Sequence, residues 1–175
     1  MVTKVSYWLI PSQEDRAFFQ DMIDTLAREY DAPSFTPHVT IYSGDLAPDE
    51  SPDRLIEQAI KGVRPFSLKS DRILYSQEFT KTLFVQFQPN SILSQLSQSL
   101  QTSSKIPSNY TLNPHLSLIY QQMSEEIQKK LTTSLTLPKS EVLFDEFMAI
   151  SSPERTQTRE DVESWNIICV RKFQL

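Results

Sequence analysis

Two glycines, Gly44 and Gly62, are all that the 175 residues contain. Neither a G-x-G-x-x-G turn nor a P-loop fits anywhere, which removes most nucleoside-triphosphate and dinucleotide chemistry. Cysteine is scarcer still: Cys169 stands alone and cannot close a disulfide within the chain. With only two histidines beside it, the nitrogen and sulfur donors are too few for a closed zinc site. The sequence therefore calls for no metal and no cofactor. Basic charge is also in deficit, with 17 Lys and Arg against 22 Asp and Glu for a net −5. That disfavours wrapping a long nucleic-acid backbone and leaves room for a small anion in one pocket. The apolar stretch before Pro11 is too short for a secretory h-region or a membrane span. The expectation is a cytoplasmic protein with no membrane association and no obligate protein partner.

What is present is a regular alternation of patterns, read as one domain over 1–175. Residues 4–10 (KVSYWLI) are aromatic and branched and stop at Pro11, which predicts a strand. From Ser12, placed as N-cap, to Tyr30 the period changes: Phe18, Phe19, Met22, Ile23 and Leu26 recur at three and four, the core stripe of an amphipathic helix. A strand is expected at 38–44, a helix at 49–61 and a strand at 66–75. The order then restarts, with a strand at 81–87, a helix opened by Pro89, a strand in NPHLSLIY and a helix from Ser124. Strands at 142–150 and 165–173 complete the chain, and the polar stretch 151–163 between them reads as a surface loop.

His38 and His115 are 77 residues apart, and the same offset sets Lys4–Ile10 on Lys81–Phe87 and TPHVTI on NPHLSL. The chain reads as two βαβαβ units, about 3–76 and 80–175. The expected fold is α+β, in two pseudo-symmetric lobes of antiparallel-rich sheet with outer helices and a cleft between them.

Each histidine stands in Pro-His-apolar-(Thr/Ser)-apolar. Residues i and i+2 of a strand share a face, so His38 with Thr40, and His115 with Ser117, each present an imidazole beside a hydroxyl while Val39 and Leu116 turn inward. Two such pairs across a cleft suit a phosphodiester. One imidazole takes a proton from attacking water, the other protonates the departing oxygen, and the hydroxyls hold the non-bridging oxygens. Tyr42 has the parity of His38 and is placed on the same face as a substrate-binding candidate. Lys69, Arg72 and Lys81 read as solvated surface cations.

The paired H-x-T and H-x-S, one per repeat, resemble the signature of the two-histidine (2H) phosphoesterases. SYWLIP and FTPHVTIYSG resemble its cyclic phosphodiesterase branch. The resemblance spans essentially the whole chain. It implies a hydrolase that opens 2′,3′-cyclic nucleotides and ADP-ribose 1″,2″-cyclic phosphate to monoesters without a metal. His38 and His115 would be catalytic, and Thr40 and Ser117 phosphate-binding. It further implies that Tyr120 lines the phosphate site and that Trp8 lies near base or sugar, although strict alternation turns Tyr120 to the core unless the strand bulges or ends at Ile119. Within the class, the alternatives are a phosphodiesterase for RNA 2′,3′-cyclic ends or a 2′-5′ RNA ligase relative. Outside it stands a catalytically idle nucleotide- or RNA-binding module.

Overall fold

The computed structural model describes residues 3–137 and 139–175. In chain order the elements are β1 (Thr3–Pro11), α1 (Gln13–Tyr30), β2 (Val39–Leu46), α2 (Pro52–Ile60), β3 (Phe66–Tyr75), a 3₁₀ turn (Phe79–Lys81), β4 (Leu83–Phe87), α3 (Ser91–Ser103), β5 (His115–Ile119), α4 (Glu125–Ser134), β6 (Glu141–Ser152), α5 (Arg159–Glu163) and β7 (Asn166–Lys172). All strand pairings are antiparallel, in the order β1-β2-β5-β4-β3-β6-β7, and β6 also pairs with β1. The circuit β1-β2-β5-β4-β3-β6 thus returns to its start. The fold is α+β with the expected pseudo-symmetry, in which β1, β2 and β6 correspond to β4, β5 and β3. Each repeat gives its third strand to the other: β3 pairs with β4, and β6 with β1. Side-chain periodicity does not carry that exchange, because a strand's pattern records its buried face and not its neighbour.

The helices start where local chemistry lets them. Ser51, Asn90 and Ser124 each accept a backbone N–H of the first turn, and Pro52 opens α2 at a position with no N–H to lose. Ser12 is the N-cap residue of α1 but makes no side-chain cap bond. Asp15 anchors this end instead. Its carboxylate accepts the Leu143 N–H at 2.8 Å and pairs with Lys139 at 2.6 Å, tying α1 to β6 while opposing the positive helix terminus. The α1 core stripe is Phe19, Ile23 and Leu26, each worth about 1.5–3 kcal/mol on burial. Phe18 departs from the expectation: at 44% exposed it lies one helical step off that stripe.

Two further expectations need correction. The stretch read as a loop contains α5, whose capping box between Thr158 and Asp161 is the signal that composition obscured. The 77-residue offset holds for β2 and β5 but slips by one in β1 and β4. Trp8 pairs with Thr40 and Phe84 with Ser117, so Phe84, not Val85, is the counterpart of Trp8.

Along β1 the alternation separates two environments. Val5, Tyr7 and Leu9 join the main core. Trp8 and Ile10 pack on the opposite face with Met148, Ile150 and Trp165. The second face is where the candidate site lies.

Candidate active site

β2 and β5 meet through one residue pair, Val39 with Leu116, both fully buried. Extending this antiparallel register by one residue each way sets His38 across from Ser117 and Thr40 across from His115. Each imidazole therefore has the other repeat's hydroxyl as its cross-strand neighbour, and all four side chains line one cleft of 340 Å³.

Both rings are held alike. His38 Nδ1 lies 2.7 Å from the Thr36 carbonyl, and His115 Nδ1 lies 2.7 Å from the Asn113 carbonyl. A carbonyl only accepts, so Nδ1 carries the proton in both rings, and in the neutral ring Nε2 keeps its lone pair for the cleft. Burial lowers both pKa values. His38 is pushed down to about 3, with the nearby His115 adding to the effect of burial and the Thr36 carbonyl opposing it. For His115, burial and then the Lys81 cation act against the raising effect of the Asn113 carbonyl and Glu78.

A bulge in each central strand decides which aromatic residues reach the cleft. Tyr7 pairs with Tyr42 and Trp8 with Thr40, which leaves Ile41 as the extra residue in β2; Leu83 pairs with Ile119 and Phe84 with Ser117, which leaves Leu118 extra in β5. An extra residue inverts the alternation beyond it. The expectation for Tyr42 is therefore corrected. It turns into the main core, 2% exposed, where its hydroxyl accepts the Ser108 N–H at 2.9 Å, and Ser43 takes its place on the cleft. The same inversion, followed by the end of β5 at Ile119, brings Tyr120 to the cleft wall. Burial raises the Tyr120 pKa, and the Ser117 hydroxyl beside it works the other way. The Ser117 hydroxyl itself donates to the Thr80 carbonyl at 2.8 Å.

Trp8 also lines the cleft, its indole stacked on the His38 imidazole. Trp165 completes an aromatic corner, meeting Trp8 at 5.3 Å and Tyr120 at 5.5 Å, both edge-on. Sequence reasoning missed Trp165, which it read as the first residue of a strand. It missed as well the wall formed by Ser152, Pro153, Glu154 and Thr156 from the presumed surface loop. A tryptophan bordering an otherwise polar stretch was the available signal. Lys81 lines the cleft, as does Lys4, whereas Lys69 and Arg72 are exposed elsewhere. Among the described residues, no three of His, Cys, Asp and Glu converge to hold a metal ion, and no helix is long and apolar enough to cross a membrane.

Comparison with known proteins adds independent findings. The sequence matches the family described as cyclic phosphodiesterase-like protein over residues 1–173. The cyclic phosphodiesterase of Arabidopsis thaliana is 27% identical over 125 residues, covering 71% of this chain and 68% of that protein. Among solved structures, E. coli LigT complexed with 3′-AMP aligns with a TM-score of 0.60 at 14% identity over 100% of both chains. A protein of Thermus thermophilus aligns with a TM-score of 0.61 at 14% identity over 97% of each. At such identities these two likenesses are likenesses of fold.

Proposed function

The chain belongs to the cyclic phosphodiesterase-like family of two-histidine phosphoesterases, and we propose that it hydrolyses small cyclic phosphates to monoesters with His38 and His115 as its acid–base pair. The substrates are nucleoside 2′,3′-cyclic phosphates and ADP-ribose 1″,2″-cyclic phosphate. The observation that supports this reading is that His38, Thr40, His115 and Ser117 line one cleft, beside the Val39–Leu116 pair that joins their strands. Support for a ligand of nucleotide size comes from LigT, a relative in fold that has been solved with 3′-AMP.

With the cyclic phosphate between the two rings, one Nε2 takes a proton from water as the water oxygen bonds to phosphorus. The imidazolium on the opposite side gives its proton to the ester oxygen whose bond to phosphorus breaks, which yields a hydroxyl and a phosphomonoester. Thr40, Ser117 and Tyr120 hydroxyls donate to the non-bridging oxygens, where negative charge is held through the transition state. For Ser117 this means turning its proton from the Thr80 carbonyl to the phosphate. Trp8 holds the His38 ring and, with Trp165, offers an aromatic wall to base or sugar.

The test is a panel of 2′,3′-cyclic mononucleotides, ADP-ribose cyclic phosphate and an RNA with a cyclic end, each with and without EDTA. Turnover of the small substrates that survives chelation is expected. Activity lost to EDTA and restored by a divalent ion would replace the two-histidine mechanism with a metal-assisted one.

A further inference from the structure

Thr80 and Thr156 stand on the wall of the catalytic cleft. Both residues also border a second groove, of 860 Å³, that runs between the 3₁₀ turn, the end of β5 and the segment before α5. Phe79 on its wall is half-buried and stacks at 6.1 Å and 21° on Tyr120, which lines the cleft itself. Two guanidinium groups reach the groove. Arg159 is engaged by Asp31 and Glu163, whereas Arg155 is exposed and enters no ion pair among the described residues. Gln122 and Gln157 add side-chain amides, and the acid on this rim, Glu78, faces Lys81 at 3.8 Å.

We propose that this groove is a nucleotide subsite: Arg155 contacts a phosphate, Phe79 offers a stacking face, and the amides of Gln122 and Gln157 meet a base edge. The inference rests on the hydrolase reading above and deepens it, because it places a further nucleotide unit, joined to the cyclic phosphate, on the Thr156 side. A guanidinium matches phosphate geometry, an aromatic face accepts any base, and amides hydrogen-bond base edges. Lys4 lines the cleft but not this groove, and its ammonium donates to the Glu154 carbonyl at 3.1 Å.

The experiment compares kcat/KM for cytidine 2′,3′-cyclic phosphate with two extended substrates bearing a cyclic phosphate. In one the second nucleotide is joined by a phosphodiester and in the other by a pyrophosphate. At least one extension should raise kcat/KM about tenfold through KM, the size of effect one base stack supplies, and the arm that gains identifies the linkage. Arg155→Ala should reduce the gain to twofold or less, with Arg155→Lys restoring part of it. Equal kcat/KM for short and extended substrates would overturn the proposal. So would a gain that survives Arg155→Ala, or one lost in Lys4→Ala alone. If no cyclic phosphate is turned over, the hydrolase reading fails by itself, and calorimetry decides the subsite. A dinucleotide 3′-phosphate should then bind about tenfold tighter than cytidine 3′-phosphate in the wild type and lose that margin in Arg155→Ala, and equal affinities in the wild type would overturn the subsite.

Discussion

The indole of Trp8 lies 3.6 Å from the imidazole of His38 and within 10° of parallel, while its counterpart Phe84 meets His115 at 5.3 Å and 69°. Equivalent positions thus give the two imidazoles unequal surroundings. His38 is 5% exposed and His115 only half-buried. Trp8→Ala uncovers one face of the His38 ring, so its pKa should rise toward the ordinary 6.5 as water enters. With the ring no longer held in place, kcat/KM should fall on the order of 10- to 100-fold. NMR titration of the imidazole protons measures the first effect, and an unmoved His38 pKa in Trp8→Ala would mean that the indole does not control it.

Stability should register the same burial. His38 has a folded pKa of about 3, below the roughly 6.5 of an unfolded histidine. As pH falls, the unfolded chain takes the proton first. Stability is therefore complete above about pH 6.5 and is lost through the window down to about pH 3, at up to ~1.4 kcal/mol per pH unit for one such group. His38→Asn removes the titration while keeping a side-chain N–H for the Thr36 carbonyl, and should flatten that slope. Urea unfolding from pH 4 to 8 measures it, and parallel slopes for wild type and variant would rule the account out.

The motif residues were legible because a histidine pair at one offset is a strong pattern and because i and i+2 share a strand face. Everything beyond Thr40 and Ser117 depended on a bulge. Ile41 and Leu118 have no property that announces an extra residue, since a bulge is fixed by how two strands pair and not by one strand's composition. Tyr42 was misplaced for that reason, whereas for Tyr120 the parity conflict correctly signalled a bulge or strand end. Trp165 and Thr156 approach the site through the return of β6 to β1, a long-range contact that no local pattern encodes, so a tryptophan bordering a polar stretch marks Trp165 as notable without placing it at the cleft.

The two tyrosines give that geometry a direct test. Tyr120→Phe removes a hydroxyl from the cleft and should lower kcat/KM about tenfold while leaving the unfolding midpoint nearly fixed. Tyr42→Phe deletes the acceptor for the Ser108 N–H and should cost about 1 kcal/mol of stability with turnover unchanged. Steady-state kinetics and urea unfolding on both proteins separate the effects. The reverse pattern, with activity lost only in Tyr42→Phe, would contradict the inverted alternation.

The histidines should behave as a unit. One ring must be neutral to accept a proton and the other charged to donate one, so kcat/KM should be bell-shaped in pH. Burial lowers both pKa values in the free enzyme, so both limbs should be displaced toward acid from the value of an ordinary imidazole. A bound phosphate anion favours the imidazolium form, and the kcat profile of the complex should shift back toward neutrality. Replacing either His38 or His115 by Ala should remove roughly 10² to 10⁴ of rate. The double variant should lose less than the product of the single losses, since a base without its acid partner is already stranded. Thr40→Ala and Ser117→Ala should cost about 10- to 10³-fold through the hydrogen bonds they withdraw from the phosphate. A folded His38→Ala variant with near wild-type turnover on every cyclic phosphate would end the symmetric acid–base reading and favour a binding role for the cleft.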